Sequence, residues 1–523
     1  MLMIHRPDLL CLCAALFLAF GGVPALAQGD TDADTTAVEA QGPTIAQVDE
    51  VYGRGDFATA RKMLEEMVAQ TELSDQDSDG EAAFRLGHIL IEGRGGPVEA
   101  ERGIRLLTAA ARVDNPDAMI LLAQLYLRGA YVELDPVSAA NLLNRAAQMG
   151  EVSAQVLLGQ LYQTGTGVPA DPASSVRLFE RAAEGNSPEA MFELSKHYSR
   201  GWGVARDNNK ALELLTKSAD AGLTQAQLFL GLNYLKTGTS ISDPAKGLEW
   251  MRRAAEGGQP MAQRVLGTAY MQGDGVDQNM AEALRWLTRA AEAGEAGAQS
   301  NLGFIFASGR GVEQDFAQAA SWYEKASDQG LLRATTALAL LYQNGQGVQQ
   351  STIRAGELYL LAAQAGEARA QARYAALMVS GDAPVPPQKT DAIVWATGIA
   401  LSGNSDAVAW LGQQADAGNA EAQARLGHVL VSGEDTAQHA DGLALLALAA
   451  ERGNAFGQYH LSQLYGSGTG VEQDFVTAHK WANLSAARGL AEAAKARDVF
   501  AKLMTPEQIA EAQKQAREYV AKN

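Results

Sequence analysis

One pattern of apolar and polar positions returns every 36 residues or a multiple of 36 along most of the chain. The frame G-x-G-V marks it, beginning at 165, 201, 273, 309, 345 and, after a longer step, 468. Before each frame lies an apolar stretch with helical spacing, such as QRVLGTAYMQG (263–273), and after it lies a second amphipathic stretch, such as 280–294. Glycine accepts the positive φ of a tight turn and commonly ends a helix. Each copy therefore predicts two helices joined by a glycine turn.

A second set of positions keeps the same period. Glycines close A-A-x-x-G-like runs at 150, 185, 222, 258, 294, 330, 366, 453 and 489, and Trp250, Trp286 and Trp322 are 36 residues apart. We interpret these tryptophans as core residues, and the alanines and glycines as positions where helices approach closely. One hairpin cannot bury its apolar stripe alone, so neighbouring copies must stack. The prediction is an all-α repeat protein.

The combined motif A-x-x-x-L-G-x-x-Y-x-x-G-x-G-V, followed by W-x-x-x-A-A-x-x-G, resembles the Sel-one-like repeat family, a relative of the tetratricopeptide repeat. The resemblance covers about 81–493. It implies a right-handed α-solenoid of about eleven helical-hairpin repeats, with protein partners bound on its concave surface.

Other segments depart from the period. Residues 44–80 resemble a tetratricopeptide-like hairpin and an acidic loop, ahead of the main array at 81–403. Residues 404–418 form an irregular half-repeat, where we expect a bend or a subdomain boundary. Further repeats follow at 419–493. Residues 494–523 should cap the array, because Thr505 and Gln508 form a capping-box signature.

The N-terminus has the features of a secretory signal peptide, residues 1–27. A basic residue precedes an apolar stretch at 9–20, and A-L-A at 25–27 offers a cleavage site. The stretch is shorter than the roughly 20 residues that a membrane-spanning helix needs. We therefore expect a periplasmic protein, or alternatively a secreted one, with no membrane insertion after cleavage and an acidic disordered leader at 28–43.

Both cysteines of the chain, Cys11 and Cys13, lie inside the predicted signal. A lipoprotein site needs a small residue before its cysteine, and Leu10 and Leu12 stand there instead. The prediction is a mature chain with neither a lipid anchor nor a disulfide.

The charge balance disfavours polyanionic partners for the protein as a whole. The chain has 42 Lys and Arg against 61 Asp and Glu, a net charge of −19, whereas nucleic-acid binding needs clustered cations. A ladder of basic residues with the same period has acids three positions later in most copies, so we expect i,i+3 ion pairs. Its members are Arg145, Arg181, Lys217, Arg253, Arg289 and Lys325.

Candidate chemistry is sparse. The glycine turns lack the G-K-[ST] continuation of a phosphate loop. Asp75, Asp77 and Asp79 match the opening of a calcium loop, but Leu86 stands where its twelfth-position glutamate should be, which makes this a weak candidate. We predict no catalytic residue, no cofactor and no other metal site.

Six histidines follow the predicted signal, too scattered for a metal motif. His88 and His428 occupy equivalent repeat positions, and His460 and His479 lie on the two helices of the last hairpin, where they could approach each other. A zinc site there is disfavoured because no Cys or HExxH frame accompanies them.

Two tryptophans lie outside the repeated position. Trp202, flanked by Arg200 and Arg206, occupies the variable position of a G-x-G-V turn, where we expect it to be exposed or packed locally; Trp410 lies in the half-repeat. Exposed Trp and Arg are favoured in binding hot spots, so these four residues are candidate partner contacts.

The sequence therefore predicts a non-enzymatic exported scaffold that binds proteins in the cell envelope. Relatives of the family restrain sensor kinases or scaffold exopolysaccharide export, and either role fits. The alternatives are a secreted factor that binds host proteins and, from a different class, a cell-wall or glycan-associated enzyme.

Overall fold

The computed structural model describes residues 42–71, 80–386 and 388–522, and the regular structure within them is helical throughout. The chain divides into two compact units, one ending at Ala170 and the other beginning at Asp171. The predicted signal peptide, the acidic leader up to residue 41 and the calcium candidates Asp75, Asp77 and Asp79 lie outside the described residues.

The first unit contains α1 (Ile45–Gly53), α2 (Phe57–Thr71), α3 (Glu81–Glu92), α4 (Ala100–Arg112), α5 (Pro116–Arg128), α6 (Pro136–Gln148) and α7 (Val152–Thr164). Helices α1 and α2 form the predicted hairpin ahead of the array. Val48, Ala60 and Leu64 from this hairpin share one buried cluster with Leu86 and Leu90 of α3. The hairpin is therefore packed onto the first repeat.

The second unit begins with α8 (Pro172–Glu184), α9 (Pro188–Arg200), α10 (Asn208–Asp220), α11 (Thr224–Leu235), α12 (Pro244–Glu256), α13 (Pro260–Gln272), α14 (Met280–Glu292), α15 (Ala296–Ser308), α16 (Phe316–Asp328), α17 (Leu332–Asn344), α18 (Thr352–Gln364), α19 (Ala368–Val379) and α20 (Lys389–Ala400). It continues with α21 (Ser405–Asp416), α22 (Ala420–Ser432), a short 3-10 helix (Thr436–Gln438), α23 (His439–Glu451), α24 (Ala455–Ser467), α25 (Phe475–Ala487), α26 (Ala491–Ala501) and α27 (Pro506–Lys522).

Each repeat consists of a helix before the glycine turn, here called an A helix, and one after it, a B helix. The A helices are the odd-numbered helices from α3 to α19, together with α22 and α24; the B helices are the even-numbered helices from α4 to α20, together with α23 and α25. Side chains 36 residues apart cap successive B helices by accepting backbone N–H bonds: Asp135, Asp171, Asp207, Asp243, Asn279, Asp315 and Ser351. These caps fix where seven of the B helices, α6 to α18, begin.

The buried aromatic position of the B helix differs by one residue from the sequence interpretation. Trp286 is buried, but Trp250 and Trp322 are only half-buried. The position one residue later is at most 8% exposed in nine consecutive copies: Leu107, Leu143, Phe179, Leu215, Met251, Leu287, Tyr323, Tyr359 and Trp395. This second position carries the core, because side chains such as Leu107, Leu287 and Tyr323 pack against the glycine of the paired A helix.

In most turns the second glycine contacts the preceding repeat. Gly347 has φ +69°, and a Cβ there would lie 2.1 Å from the carbonyl carbon of Phe316, the first residue of the preceding B helix. A Cβ on Gly167 would lie 2.0 Å from the carbonyl oxygen of Pro136 in the same way. Gly470 has the same backbone conformation, with φ +71°, but open space around it. Most turns are therefore joints between repeats.

Residues 404–418 contain one extra helix, α21, as the half-length unit predicted. The expected subdomain boundary is not found there, because one buried cluster runs from Ala319 to Val429 and includes Ala407, Leu411 and Ala415 of α21. Helix α21 takes the place of a second B helix after α20. The chain thus inserts a helix without interrupting its core.

The C-terminal helix α27 begins at the predicted capping box. The Gln508 amide oxygen accepts from Thr505 N at 2.8 Å, and Gln508 N donates to Thr505 Oγ1 at 3.3 Å. Tyr519, at the far end of α27, packs edge-on against Trp481 and donates to the carbonyl oxygens of Ala450 and Glu451. This cap therefore covers the last repeats by specific contacts.

Candidate partner-binding face

A ladder of glutamines, all buried except the half-buried Gln371, holds seven of the A helices, each against the B helix before it. In each case the side-chain Nε2 donates, at 3.0–3.4 Å, to a carbonyl oxygen in the last turn of that B helix: Gln155, Gln227, Gln263, Gln299, Gln371, Gln423 and Gln458. The Gln423 bond goes to Ala415 of α21, so the extra helix is engaged as a B helix. This ladder was not predicted, although a recurring Ala-Gln or Gly-Gln pair marks its positions in the sequence.

One side of each A helix faces away from the core. Positions 2, 5, 6 and 9 of an A helix lie on one face, because they are spaced i, i+3, i+4 and i+7. In the second unit this A-helix face exposes large apolar side chains: Phe229 and Leu232 of α11, Met261 of α13 and Phe304 of α15 are 37–47% exposed. Exposed apolar side chains on consecutive helices favour a binding surface.

Contacts along this face connect successive A helices. The Phe192 ring packs edge-on against Phe229 with 5.2 Å between centroids. Asn301 Nδ2 donates to Thr268 Oγ1 at 3.0 Å, at the equivalent place two repeats later. These contacts align neighbouring A helices, so that their exposed side chains form one continuous surface across several repeats.

A cavity of about 360 Å³ lies farther along the same face, between α17 and α19. Its lining is Arg333, Thr336, Ala337, Leu340, Tyr359, Glu367, Arg369 and Arg373. Arg333 and Arg369 occupy position 2 of successive A helices, and all three arginines are exposed. Glu367 is held in place by accepting from Thr336 Oγ1 at 3.1 Å and from the backbone of Ala370.

Two core tyrosines lie beneath these arginines. Burial raises the pKa of Tyr323 and Tyr359 to about 12, while the charge of Arg333 near the first and of Arg373 near the second opposes this rise. Tyr359 donates its hydroxyl to Gln343 Oε1 at 3.1 Å. Both phenols are therefore protonated at neutral pH, and the charge of the cavity comes from the guanidinium groups and Glu367.

Trp202, one of the candidate contacts, packs locally. Its indole is half-buried and stacks on the buried ring of His197, with centroids 4.9 Å apart and planes at 8°. His197 Nδ1 donates to the Trp202 carbonyl at 2.7 Å, and burial lowers the pKa of this imidazole. Arg200 and Arg206 beside it are exposed. The stack accounts for a tryptophan in this turn without a partner.

Trp410, the other candidate, is half-buried and packs against the cluster that contains Leu411. A cavity of about 490 Å³ opens nearby, lined in part by Val408 of α21 and by Val429 and Asp435. The extra helix therefore creates a recess, and Trp410 contributes mainly to the packing beside it.

The basic ladder is paired differently from the prediction. Lys217 bonds to Glu213 one turn earlier at 2.8 Å, and Arg145 bonds to Asp114 of the preceding repeat at 2.6 Å. Three members lie over the indole ring three residues before them, at 4.0–5.5 Å from its centroid: Arg253 over Trp250, Arg289 over Trp286 and Lys325 over Trp322. Among the described residues, Lys217, Arg253, Arg289 and Lys325 form no ion pair with the acid three positions later, and Arg253 bonds instead to Glu249 one turn earlier at 2.8 Å. The predicted i,i+3 pairs are therefore replaced at these positions by indole rings and by other carboxylates.

His460 pairs with a different histidine from the one proposed. Its ring lies 4.0 Å from that of His428, on the A helix of the preceding repeat, and 4.1 Å from Phe456. Burial, with a smaller contribution from His428, lowers the pKa of His460 to about 3. Within the part of the chain that the structure describes, no group of three or more His, Cys, Asp or Glu is placed to hold a metal ion.

Comparison with known proteins identifies the repeats. The family model described as Sel1 repeat matches ten stretches: 80–115, 116–151, 152–187, 188–223, 224–259, 260–295, 296–331, 332–367, 420–454 and 455–490. The chain belongs to the Sel1 repeat family. The matches end at 367 and resume at 420, which leaves α19, α20 and α21 as the irregular segment of this Sel1 repeat protein.

Two solved structures are similar to this chain. A protective antigen present in uropathogenic Escherichia coli strains, described as displaying an SLR fold, is 27% identical over 87% of this chain and 94% of its own, with a TM-score of 0.56. A Sel1 repeat protein from Oxalobacter formigenes is 31% identical over 63% of this chain and 93% of its own, with a TM-score of 0.43. A search of curated proteins gave no match.

The predicted fold class, an all-α solenoid of helical-hairpin repeats, is confirmed by the ten matches and by the likeness to the uropathogenic antigen. Sel1 repeat proteins generally act as non-catalytic scaffolds for protein interaction. Among the described residues, no helix combines the length and the apolar character required to cross a bilayer.

Proposed function

We propose that this Sel1 repeat protein is an exported, non-enzymatic scaffold of the bacterial cell envelope, which binds a partner protein along the A-helix face of its second unit. It would serve a signalling or an exopolysaccharide system. The observation that carries the proposal is the row of exposed apolar side chains on α11, α13 and α15, held in register by contacts between neighbouring helices. A flat apolar surface of this kind suits a protein partner better than a small substrate.

The export part of the proposal rests on the N-terminal sequence, with its short apolar stretch and its A-L-A site. The likeness to a protective antigen supports an exported location and also favours the second candidate, a secreted factor that binds host proteins. Cell fractionation separates the two: retention in the periplasm supports the first, and release into the medium supports the second.

In vivo photo-cross-linking tests the binding face. A photoreactive residue at Phe229 or Phe304 should capture a protein partner. The same residue at Ile353, which is 76% exposed on the B helix α18, should not. Equal capture from all three positions, or capture from Ile353 alone, would contradict the assignment of the face.

The alternative from a different class is a cell-wall or glycan-associated enzyme. If this alternative holds, the purified protein hydrolyses soluble cell-wall fragments, and substitution of a single residue abolishes the activity. That result would establish the enzyme in place of the scaffold.

A further inference from the structure

Acidic residues are distributed unevenly around the second unit. The five consecutive A helices α11, α13, α15, α17 and α19 contain no Asp or Glu, in a chain with a net charge of −19. The B helices between them all contain acidic residues, for example Glu282 in α14 and Glu357 in α18. The A helices on either side, α9 and α22, contain Glu189 and Glu421. Within the second unit, acid-free A helices therefore run through five consecutive repeats, with carboxylates only at the N-caps of α15 and α19, Glu295 and Glu367.

The basic residues on these five helices are arginines. Arg264 is engaged by Glu295 at 2.8 Å. The other three, Arg333, Arg369 and Arg373, line the cavity between α17 and α19, and within the described residues none of them forms an ion pair with a carboxylate. The three guanidinium groups outnumber the one carboxylate in the lining, that of Glu367, so the cavity has an excess of positive charge and favours an anionic occupant.

The face therefore has two adjoining parts. Helices α11 to α15 expose apolar side chains, among them Phe229 and Phe304, and α17 and α19 supply the arginines. Building on the proposed function, we propose that this face binds an extended segment of the partner protein that carries both apolar and acidic side chains. Guanidinium groups bind carboxylates in a bidentate manner. The apolar part favours a protein segment over an anionic glycan, because a glycan has no apolar side chains to pack there.

The length of the segment follows from helix packing. Neighbouring helices pack at about 8–10 Å, so crossing five of them takes about 32–40 Å. An extended chain covers this distance with about 10–12 residues. A segment of that length could place apolar side chains on α11 to α15 and carboxylates between α17 and α19.

Selection from a displayed library of random peptides of about 12 residues on the full chain tests the proposal. The wild-type protein should enrich peptides that combine Asp or Glu with Leu, Phe or Met. The triple variant Arg333→Glu/Arg369→Glu/Arg373→Glu should weaken binding of a selected peptide by at least about tenfold in fluorescence anisotropy. It should also bind the same peptide with Lys in place of its acids better than the wild type does. That gain shows that the variant is folded.

A matched control is Arg105→Glu/Arg112→Glu/Arg310→Glu, which makes the same charge change at exposed positions of α4 and of a turn. It should bind the selected peptide as the wild type does, and an equal loss in both variants would overturn the proposal. Enrichment of basic or uncharged peptides by the wild type, or of none, would overturn it as well. So would binding of a uronate polymer without enrichment of acidic peptides.

The failure of this inference can be told apart from failure of the proposed function. A partner cross-linked at Phe229 through a neutral or basic segment would support the scaffold function and overturn the acidic segment. Selection of acidic peptides without any partner captured in cells would support the binding preference and count against the scaffold function.

Discussion

Replacing the second glycine of a turn by alanine should show that the turns join successive repeats. Gly347→Ala places a Cβ 2.1 Å from the carbonyl carbon of Phe316, whereas real Cβ contacts stay beyond 3.0 Å, so the two repeats must separate by close to 1 Å. Gly470→Ala is the matched control, because its φ of +71° nearly equals the +69° of Gly347 and nothing lies within 4 Å of its Cβ.

The two variants share one cost and differ in another. Alanine in the left-handed region costs about 1–2 kcal/mol in either turn. At Gly347 the overpacking adds about 1–3 kcal/mol, because a small radial gap forfeits part of the packing between repeats. We therefore expect Gly347→Ala to lower the free energy of unfolding by about 2–5 kcal/mol and Gly470→Ala by about 1–2 kcal/mol.

Urea unfolding followed by circular dichroism measures the total effect. Because repeats open in local units, amide hydrogen exchange shows which helices are destabilised. Protection should drop in α16 and α17 for Gly347→Ala and stay unchanged there for Gly470→Ala. Equal destabilisation by the two substitutions would refute the reasoning, since it would mean that the backbone conformation alone requires glycine.

Gln227→Leu removes the bond to the Ala219 carbonyl oxygen and should cost about 1 kcal/mol of unfolding free energy in urea titrations; an unchanged midpoint would count against the glutamine ladder. Hydrogen bonds from the third residue of each capped helix lower the pKa of four cap aspartates, so the stability they add above their ordinary pKa of 3.8 is lost as the pH falls through the lower folded value. Replacing the four aspartates with asparagine should make the free energy of unfolding depend less on pH below 3.8, and an unaltered acid transition would contradict this. The four are Asp135, Asp171, Asp243 and Asp315. Burial lowers the pKa of His460 from 6.5 to about 3, so the stability contributed by its neutral form falls as the pH drops from 6.5 towards 3; His460→Leu should abolish that slope in urea titrations across this range. Trp202→Ala should lower the melting temperature and leave partner cross-linking unchanged, and lost cross-linking would restore Trp202 as a contact.

The repeat period and the helix ends could be predicted from the sequence, because they depend on local chemistry. The glycines of the turns and the cap residues, such as Asp315, act within a few positions of themselves. Even the extra helix α21 was visible as an interruption of the period. The effect of α21 on the core could not be predicted, because the spacing of Leu411 and its apolar neighbours along α21 is the same whichever helix they pack against.

Features that depend on how repeats meet were harder to predict. Trp250 and Leu287 occupy adjacent positions of equivalent helices, and only packing decides which of the two positions is buried. The partner of Arg253 depends on the orientation of a neighbouring indole. The arginine cavity was not predicted, although Arg333 and Arg369 are 36 residues apart, because the basic ladder that the sequence shows lies on the B helices.

The joints between repeats have a consequence for how such a chain can change in length. At Gly167, Gly203 and Gly347 the second glycine touches main-chain atoms of the preceding helix, which are the same in every copy, whereas at Gly275 and Gly311 it meets the side chains of Leu248 and Met280. Repeats joined through main-chain atoms can therefore be duplicated, deleted or transplanted without a matching side chain in the new neighbour. Gly470, which follows the inserted helix and the short 3-10 helix, makes no such contact. The array thus contains joints that accept any neighbouring repeat and joints that require a particular side chain.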